Sequence, residues 1–468
     1  MLNRRQFFIG SGALLAASAI VPQAAAQAAS PTILRAEKRV IEVLGKSARF
    51  LRIRQPNGKP GLVTDVSTPF RVRLENEIGE PTLVHWHGVT PPWQQDGVPY
   101  VSAPPIAARG SAAYDFPLAF SGTYWMHSHQ KFQEQDLMTA PLIIHDAESR
   151  RADQQEIVIM LRDFTFRNPV EIFAGLKKSG MSGMTGSTKA MGGMSAAATT
   201  TDLNDVVYDA FLANDRTLDD PEVVRVEPGG RVLLRIINGA SASNFFLDLG
   251  VLTGEVVAVD GHAVRPVSAS VFPIAIAQRL DVRVQLPKGQ AAFPVLATLE
   301  GERKRTGIVL AAPGARILKI DAFAAHATGP LDLQLERSLR AVTPLVPKVA
   351  DRIHRIALTG SMTNYVWSLN DQTYPGAKPF SVAKGERVEF VMTNTTPMSH
   401  PMHLHGHVFQ VVAINGKRYP GAMRDTVLVP PKTSLTFAFD ANNPGRWFYH
   451  CHNLYHMISG MANTVVYA

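Results

Sequence analysis

Four His-x-His pairs stand out in this chain: His85-Trp86-His87, His127-Ser128-His129, His403-Leu404-His405 and His450-Cys451-His452. Residues i and i+2 of an extended strand face the same side, so each pair aims two imidazoles one way. A single pair fits inside an ordinary core with ordinary partners. Eight buried imidazoles do not, because each unsatisfied polar group costs roughly 1–3 kcal/mol. Metal coordination removes that cost. Imidazole suits copper, zinc, iron and nickel alike, so the histidines alone leave the metal open.

The one cysteine narrows the choice. In an extended His450-Cys451-His452 the thiol faces away from its two neighbours, so Cys451 belongs to a second site beside the first. His400, His456 and Met461 lie within reach of it in the sequence. Two histidines, a cysteine and a weak axial methionine are the ligand list of a blue-copper electron-transfer centre. Zinc would accept the cysteine and histidines but gives no role to the methionine or to a second histidine cluster. The pattern predicts a relay in which an electron enters at Cys451 and leaves through the imidazoles that flank it. A single cysteine also excludes any intramolecular disulfide.

These residues need strands to hold them, and the sequence repeats the strands. Alternating hydrophobics ending in Asn recur at Phe70 to Asn76, Arg231 to Asn238 and Arg387 to Asn394. Nine residues after each Asn begins a matching tetrapeptide: His85-Trp86-His87-Gly88, Leu247-Asp248-Leu249-Gly250 and His403-Leu404-His405-Gly406. Gly122 and Gly445 each stand five residues before a His-x-His, and Gly289 stands five before Pro294-Val295-Leu296. Repeats of this spacing with strand-like alternation predict an all-β chain of three tandem β-sandwiches. Copies one and three carry histidines where the middle copy carries apolar residues or proline, so the metal site is an addition to a common scaffold. The expected domains are residues 31–150, 151–325 and 345–468.

At 468 residues and 46% hydrophobic, the chain is too long for one core. Its net charge of +8 is not gathered into a block, which argues against a nucleic-acid arm. The first residues read Asn3-Arg4-Arg5-Gln6-Phe7-Phe8, then an apolar run from Ile9 to Val21, then Ala24-Ala25-Ala26. Twin arginines, a short apolar segment and a small-residue cleavage site predict a twin-arginine (Tat) signal peptide over 1–26 and export to the periplasm. Its removal takes Arg4 and Arg5 and no acid, lowering the net charge from +8 to +6. No later segment is a candidate membrane span.

Across essentially the whole mature chain these motifs resemble the multicopper oxidase family. The bacterial periplasmic copper-resistance branch is the most similar, on Phe132-Gln133-Glu134-Gln135 and Leu454-Tyr455-His456-Met457. The resemblance implies three cupredoxin-like Greek-key sandwiches and four copper ions. It implies His85 and His403 on a type 2 copper, and His87, His127 and His452 on one type 3 copper. His129, His405 and His450 would hold the other type 3 copper, and His400, Cys451, His456 and Met461 the type 1 copper. The implied activity is oxidation of a reductant, one electron at a time, coupled to reduction of O2 to water. Asp96 resembles the acid that the family places near the cluster as a proton donor. Some relatives add a carboxylate directly after the second type 1 histidine; here that place is Met457, and residues 457–460 hold no acid.

One segment bears on the reductant. Met181, Met184, Met191 and Met194 stand in a Gly/Ser/Ala/Thr background over 179–201, which predicts a mobile loop unable to pack a core. Thioethers are soft ligands that select Cu(I), so Cu(I) is the expected reductant, with copper tolerance as the purpose. A laccase-like oxidase of phenols would carry the same coppers without needing this loop. A copper-sequestering protein would bind Cu(I) there and consume no oxygen. A two-domain nitrite reductase fits the three-copy order least. Among the other histidines, His407 is a candidate hydrogen-bond support for a ligand; His145, His262, His326 and His354 are expected to be structural.

Overall fold

Asn76, Asn238 and Asn394 close equivalent strands, Phe70–Asn76, Arg231–Asn238 and Arg387–Asn394, and each makes the same staple. The side-chain oxygen accepts the backbone N–H two residues on, from Ile78 at 3.1 Å, Ala240 at 3.1 Å and Thr396 at 2.9 Å. The amide nitrogen donates to carbonyls across the turn, including Ile106, Ile274 and Val429. A short side chain that can satisfy backbone groups on both sides of a strand exit explains why Asn recurs there. The computed structural model describes residues 30–182 and 203–468, with Thr32–Ala468 as one unit.

Each stapled strand runs parallel to a longer preceding strand: Thr32–Val43, Gln155–Phe164 and Arg352–Ser361 respectively. On its other side it pairs antiparallel with Ser111–Phe116, Arg279–Gln285 or Ser434–Asp440. A second sheet in each copy pairs Val84–His87 with Gly122–Ser128, Phe245–Asp248 with Ala292–Leu299, and His400–Leu404 with Arg446–Cys451. The chain is therefore all-β, with six sheets among the described residues in three successive sandwiches of common topology. Leu34, Val72, Leu74, Trp86, Met126 and Leu142 fill the first core, while one continuous core runs through the second and third.

Two details differ from the sequence reading. Leu247 faces Ala297, not Pro294, so the middle copy is three residues longer ahead of this position. Gly122 opens its strand, whereas Gly289 (φ +111°) precedes the strand Ala292–Leu299, and the turn between absorbs the extra residues. The start of the expected Met-rich loop is helical: α1 spans Pro169–Ser182 and takes in Met181. Met184, Met191 and Met194 lie outside the described residues. Pro169 suits a first helical turn, and Asn168 Oδ1 accepts the Val170 N–H at 2.9 Å. Ile172, Phe173 and Leu176 form the face that packs on the core. The other helices are single turns, α2 at Gln334–Ser338 and α3 at Leu454–Ile458.

Candidate metal centres

Strand register sets the histidines against one another. His85 lies directly across from His127 in the first sandwich, and His403 directly across from His450 in the third. The two faces meet: His85 Nε2 is 3.4 Å from His403 Nε2, and the His87 and His403 rings stack at 3.8 Å. Ring nitrogens gather into three sets, His85–His87–His403, His87–His127–His452 and His129–His405–His450, the first two sharing His87 and the donor atoms of each within 4.8 Å of one another.

The opposite nitrogens decide what these sets can do. His85 Nδ1 lies 2.8 Å from the Asp96 carbonyl, His403 Nδ1 2.8 Å from the Asp425 carbonyl, and His450 Nδ1 2.9 Å from the Cys451 carbonyl. A carbonyl only accepts, so each Nδ1 is the N–H and each Nε2 of a neutral ring is a lone pair. His85 Nε2 and His403 Nε2 therefore face each other as two lone pairs. His405 donates from Nδ1 to Asp96 Oδ2 at 2.9 Å and presents Nε2 to His450 Nε2 at 3.1 Å. His87 donates from Nε2 to Asp425 Oδ1 at 3.0 Å and presents Nδ1 to His127 Nε2 at 3.4 Å. Two pairs of inward lone pairs, His85–His403 and His405–His450, repel unless an electron-pair acceptor sits between them.

Electrostatics agree with that reading. Burial, and then the neighbouring imidazoles, hold His87, His127, His129, His403, His405 and His452 well below their ordinary pKa. Burial brings His450 down to about 3. The rings stay neutral, which is the form that binds a metal. The residues thus fit a cluster of imidazole-bound metal ions, with His85, His87, His403, His405 and His450 each oriented by an outer partner.

The second set is His400, Cys451 and His456, all fully buried. Cys451 Sγ is 3.7 Å from Nδ1 of both histidines. Asn453 starts α3 by accepting the Tyr455 N–H at 3.1 Å and the His456 N–H at 3.4 Å, and the single turn brings His456 back over Cys451. Met461 is buried, and its carbonyl accepts the Cys451 N–H at 3.0 Å. Burial pushes the thiol pKa up, so ionising it here needs a cation at the sulfur. The free nitrogens meet polar groups: His400 Nε2 meets Thr396 Oγ1 at 2.7 Å and His456 Nε2 meets Asp205 Oδ2 at 2.8 Å.

Asp96 is fully buried after the short turn Trp93–Gln95, with one oxygen 3.1 Å from His85 Nδ1 and the other on His405. Gly97 follows at φ +89°, where a Cβ would meet the Val84 carbonyl at 1.9 Å; the Asp-Gly turn packs on the strand that carries His85. Three carboxylates escaped the sequence reading. Asp205 faces His456 and Asp425 faces His87. Glu134 Oε2 lies 2.9 Å from His127 Nδ1, off the straight hydrogen-bond direction, and Oε1 lies 3.7 Å from His452 Nδ1. Burial and the charge of Asp163 raise the Glu134 pKa well above the usual range. Its motif, Phe132-Gln133-Glu134-Gln135, was visible, but nothing local says that it folds back beneath His127.

The remaining histidines stand apart. His145 meets Glu156 at 2.7 Å, His354 meets the Ser381 carbonyl at 3.1 Å, and His326 is exposed. His407 Nδ1 sits 3.1 Å from the His405 carbonyl and Nε2 2.6 Å from Tyr467 Oη, bracing the backbone of a cluster residue. Burial holds His262 down to about 4, beside Phe120.

Two ligand-like sets, one of imidazoles alone and one with a thiol, across the first and third of three β-sandwiches, describe a multi-metal redox protein. Residues 38–149, 155–314 and 349–468 each match the sequence pattern described as multicopper oxidase. Multicopper oxidase MmcO of Mycobacterium tuberculosis is 30% identical over 99% of this chain and 96% of that protein. A copper resistance protein A homolog of Pseudomonas syringae pv. tomato is 28% identical over 84% of this chain and 85% of its own length. The crystal structure of a laccase from Botrytis aclada superposes with a TM-score of 0.77 at 22% identity, covering 93% of this chain and 88% of the laccase. The chain belongs to the multicopper oxidase family, and as such it is a copper-dependent oxidoreductase with O2 as electron acceptor.

Proposed function

We propose that the protein is a periplasmic cuprous oxidase: it takes electrons from Cu(I) at the Cys451 set and delivers them to O2 at the histidine cluster. His400, Cys451, His456 and Met461 would hold one copper. His85 and His403 would hold a second, His87, His127 and His452 a third, and His129, His405 and His450 a fourth. Copper held there would supply one-electron chemistry, so that four electrons collected singly from four Cu(I), with four protons, reduce O2 to two waters. Cys451 lies between His450 and His452 in the chain, so a few covalent bonds join the two sets. Asp96, bonded to the Nδ1–H of His405, would pass protons towards the cluster, while Glu134 and Asp425 would orient His127 and His87. The leader over 1–26 would direct export through the Tat machinery; among the described residues no helix is long and apolar enough to cross a membrane.

The observation that favours Cu(I) is what the described chain touches on either side of the Met-bearing segment. On the outgoing side α1 packs Phe173 against Tyr455 and Tyr365, the neighbours of His456. On the returning side the Asp205 side chain is covered and lies 2.8 Å from His456 Nε2 itself. The described chain thus touches the surroundings of His456 both before and after residues 183–202, which hold Met184, Met191 and Met194, at Phe173 on one side and Asp205 on the other. Deletion of residues 180–195 should lower turnover of Cu(I) while leaving turnover of a phenol intact. Equal Cu(I) turnover after the deletion would remove this support and favour the laccase-like reading.

A further inference from the structure

Among the described residues the middle sandwich contributes no histidine to either set, yet its Arg279 reaches a residue on which the cluster histidines rest. Arg279 opens the strand Arg279–Gln285 and is fully buried. Its Nε donates to the Thr123 carbonyl at 3.1 Å, on the strand that carries His127. Its Nη1 donates to the Ala277 carbonyl at 3.1 Å and to Asp425 Oδ1 at 2.8 Å, and its Nη2 to Asp425 Oδ2. One guanidinium therefore ties all three sandwiches together.

What Arg279 holds is the residue on which two cluster histidines orient. The Asp425 carboxylate accepts from His87 Nε2 of the first sandwich, and the Asp425 carbonyl accepts from His403 Nδ1 of the third. A planar guanidinium bonded through two nitrogens fixes a carboxylate in plane and rotation, which a single ammonium cannot do. The next residue along the chain carries an independent mark of this packing. Gly88, at φ +85°, has no room for a Cβ: one would lie 2.5 Å from Arg279 Nη2 and 2.6 Å from Asp425 Oδ2. The backbone beside His87 rests directly on the pair.

We infer that Arg279 is a positioning residue for the histidine cluster, and that the ligand-free middle sandwich sets the ring orientation of His87 through Asp425. The inference rests on His87 being a copper ligand. A neighbouring pair provides an internal control. Arg424 bonds Asp260 of the middle sandwich at 3.0 Å and Glu336 of α2 at 2.7 Å, so Glu336 belongs to the same buried charge network without touching Asp425.

The test uses the full copper-loaded chain with Arg279→Lys, Arg279→Gln and Glu336→Gln. Copper per chain is counted after dialysis against EDTA, the EPR-silent fraction of that copper is measured, and thermal melting is followed. Both Arg279 variants should release cluster copper about 10–100-fold more readily and lose EPR-silent copper, while the blue colour of the Cys451 centre persists. Lysine should not rescue. Glu336→Gln should melt earlier yet keep its copper and EPR pattern. Wild-type copper retention in either Arg279 variant overturns the inference, as does an equal copper loss in Glu336→Gln, which would mean general loosening. A wild-type chain that takes up no cluster copper would instead refute the ligand reading of His87.

Discussion

Glu134→Ala isolates one orienting contact of the cluster. The carboxylate is 3% exposed, so solvent screens it little. It lies 2.9 Å from His127 Nδ1 and 3.7 Å from His452 Nδ1. Burial favours the protonated acid, but a metal ion on the far side of the His127 ring favours the carboxylate. An outer partner of a ligating histidine contributes about 10–100-fold in metal affinity, which is about 1.4–2.8 kcal/mol at about 1.4 kcal/mol per decade, so loss of this carboxylate predicts copper bound some 10- to 100-fold more weakly. Glu134→Gln keeps the volume and one acceptor oxygen, and should lose less. The assay is copper retained per chain against a graded chelator series, with oxygen uptake measured on the same samples. Wild-type retention in Glu134→Ala would refute the view that Glu134 orients these rings.

Gly97→Ala forces a Cβ into the Val84 carbonyl at φ +89°. Backbone strain alone costs about 1–3 kcal/mol, so the variant should melt earlier and bind less copper; an unchanged melt would contradict the required close approach. His262 supplies a pH prediction away from the metal. The unfolded chain binds a proton at this ring from about pH 6.5 downward, the folded chain only from about 4. Stability from this site is therefore complete above about 6.5 and falls with acidification towards 4, by at most about 1.4 kcal/mol per pH unit. His262→Leu should flatten the fall in melting temperature over that window relative to wild type, and parallel curves would show that the ring does not titrate this way.

Much of the scaffold was legible because the fold repeats itself. The three Asn-terminated segments coincide with the three stapled strands, since an alternating apolar face and a polar strand exit are local properties. Gly289 misled by three residues because a turn can lengthen without changing the glycine that marks it. Only the last turn of α1 was hidden in a stretch whose Gly and Ser content reads as loop, although Pro169, Ile172, Phe173 and Leu176 carry a helical signal just ahead of that stretch. Within the site, spacing told which imidazoles share a strand face. It could not tell that His85 meets His403, 318 residues away, or which ring nitrogen points inward. Arg279 and Asp425, 146 residues apart, have no sequence signature at all, because their pairing exists only where three sandwiches meet.

The central claim is that electrons from Cu(I) enter at Cys451 and reduce O2 at the histidine cluster. Oxygen uptake by the copper-loaded chain supplied with Cu(I), beside a phenol and beside Cys451→Ser as control for spontaneous oxidation, tests it directly. The account predicts uptake with Cu(I) well above the Cys451→Ser control and weak uptake with the phenol. Brisk uptake with the phenol and none above control with Cu(I) would contradict the cuprous assignment, and no uptake with either at full copper loading would contradict the oxidase itself.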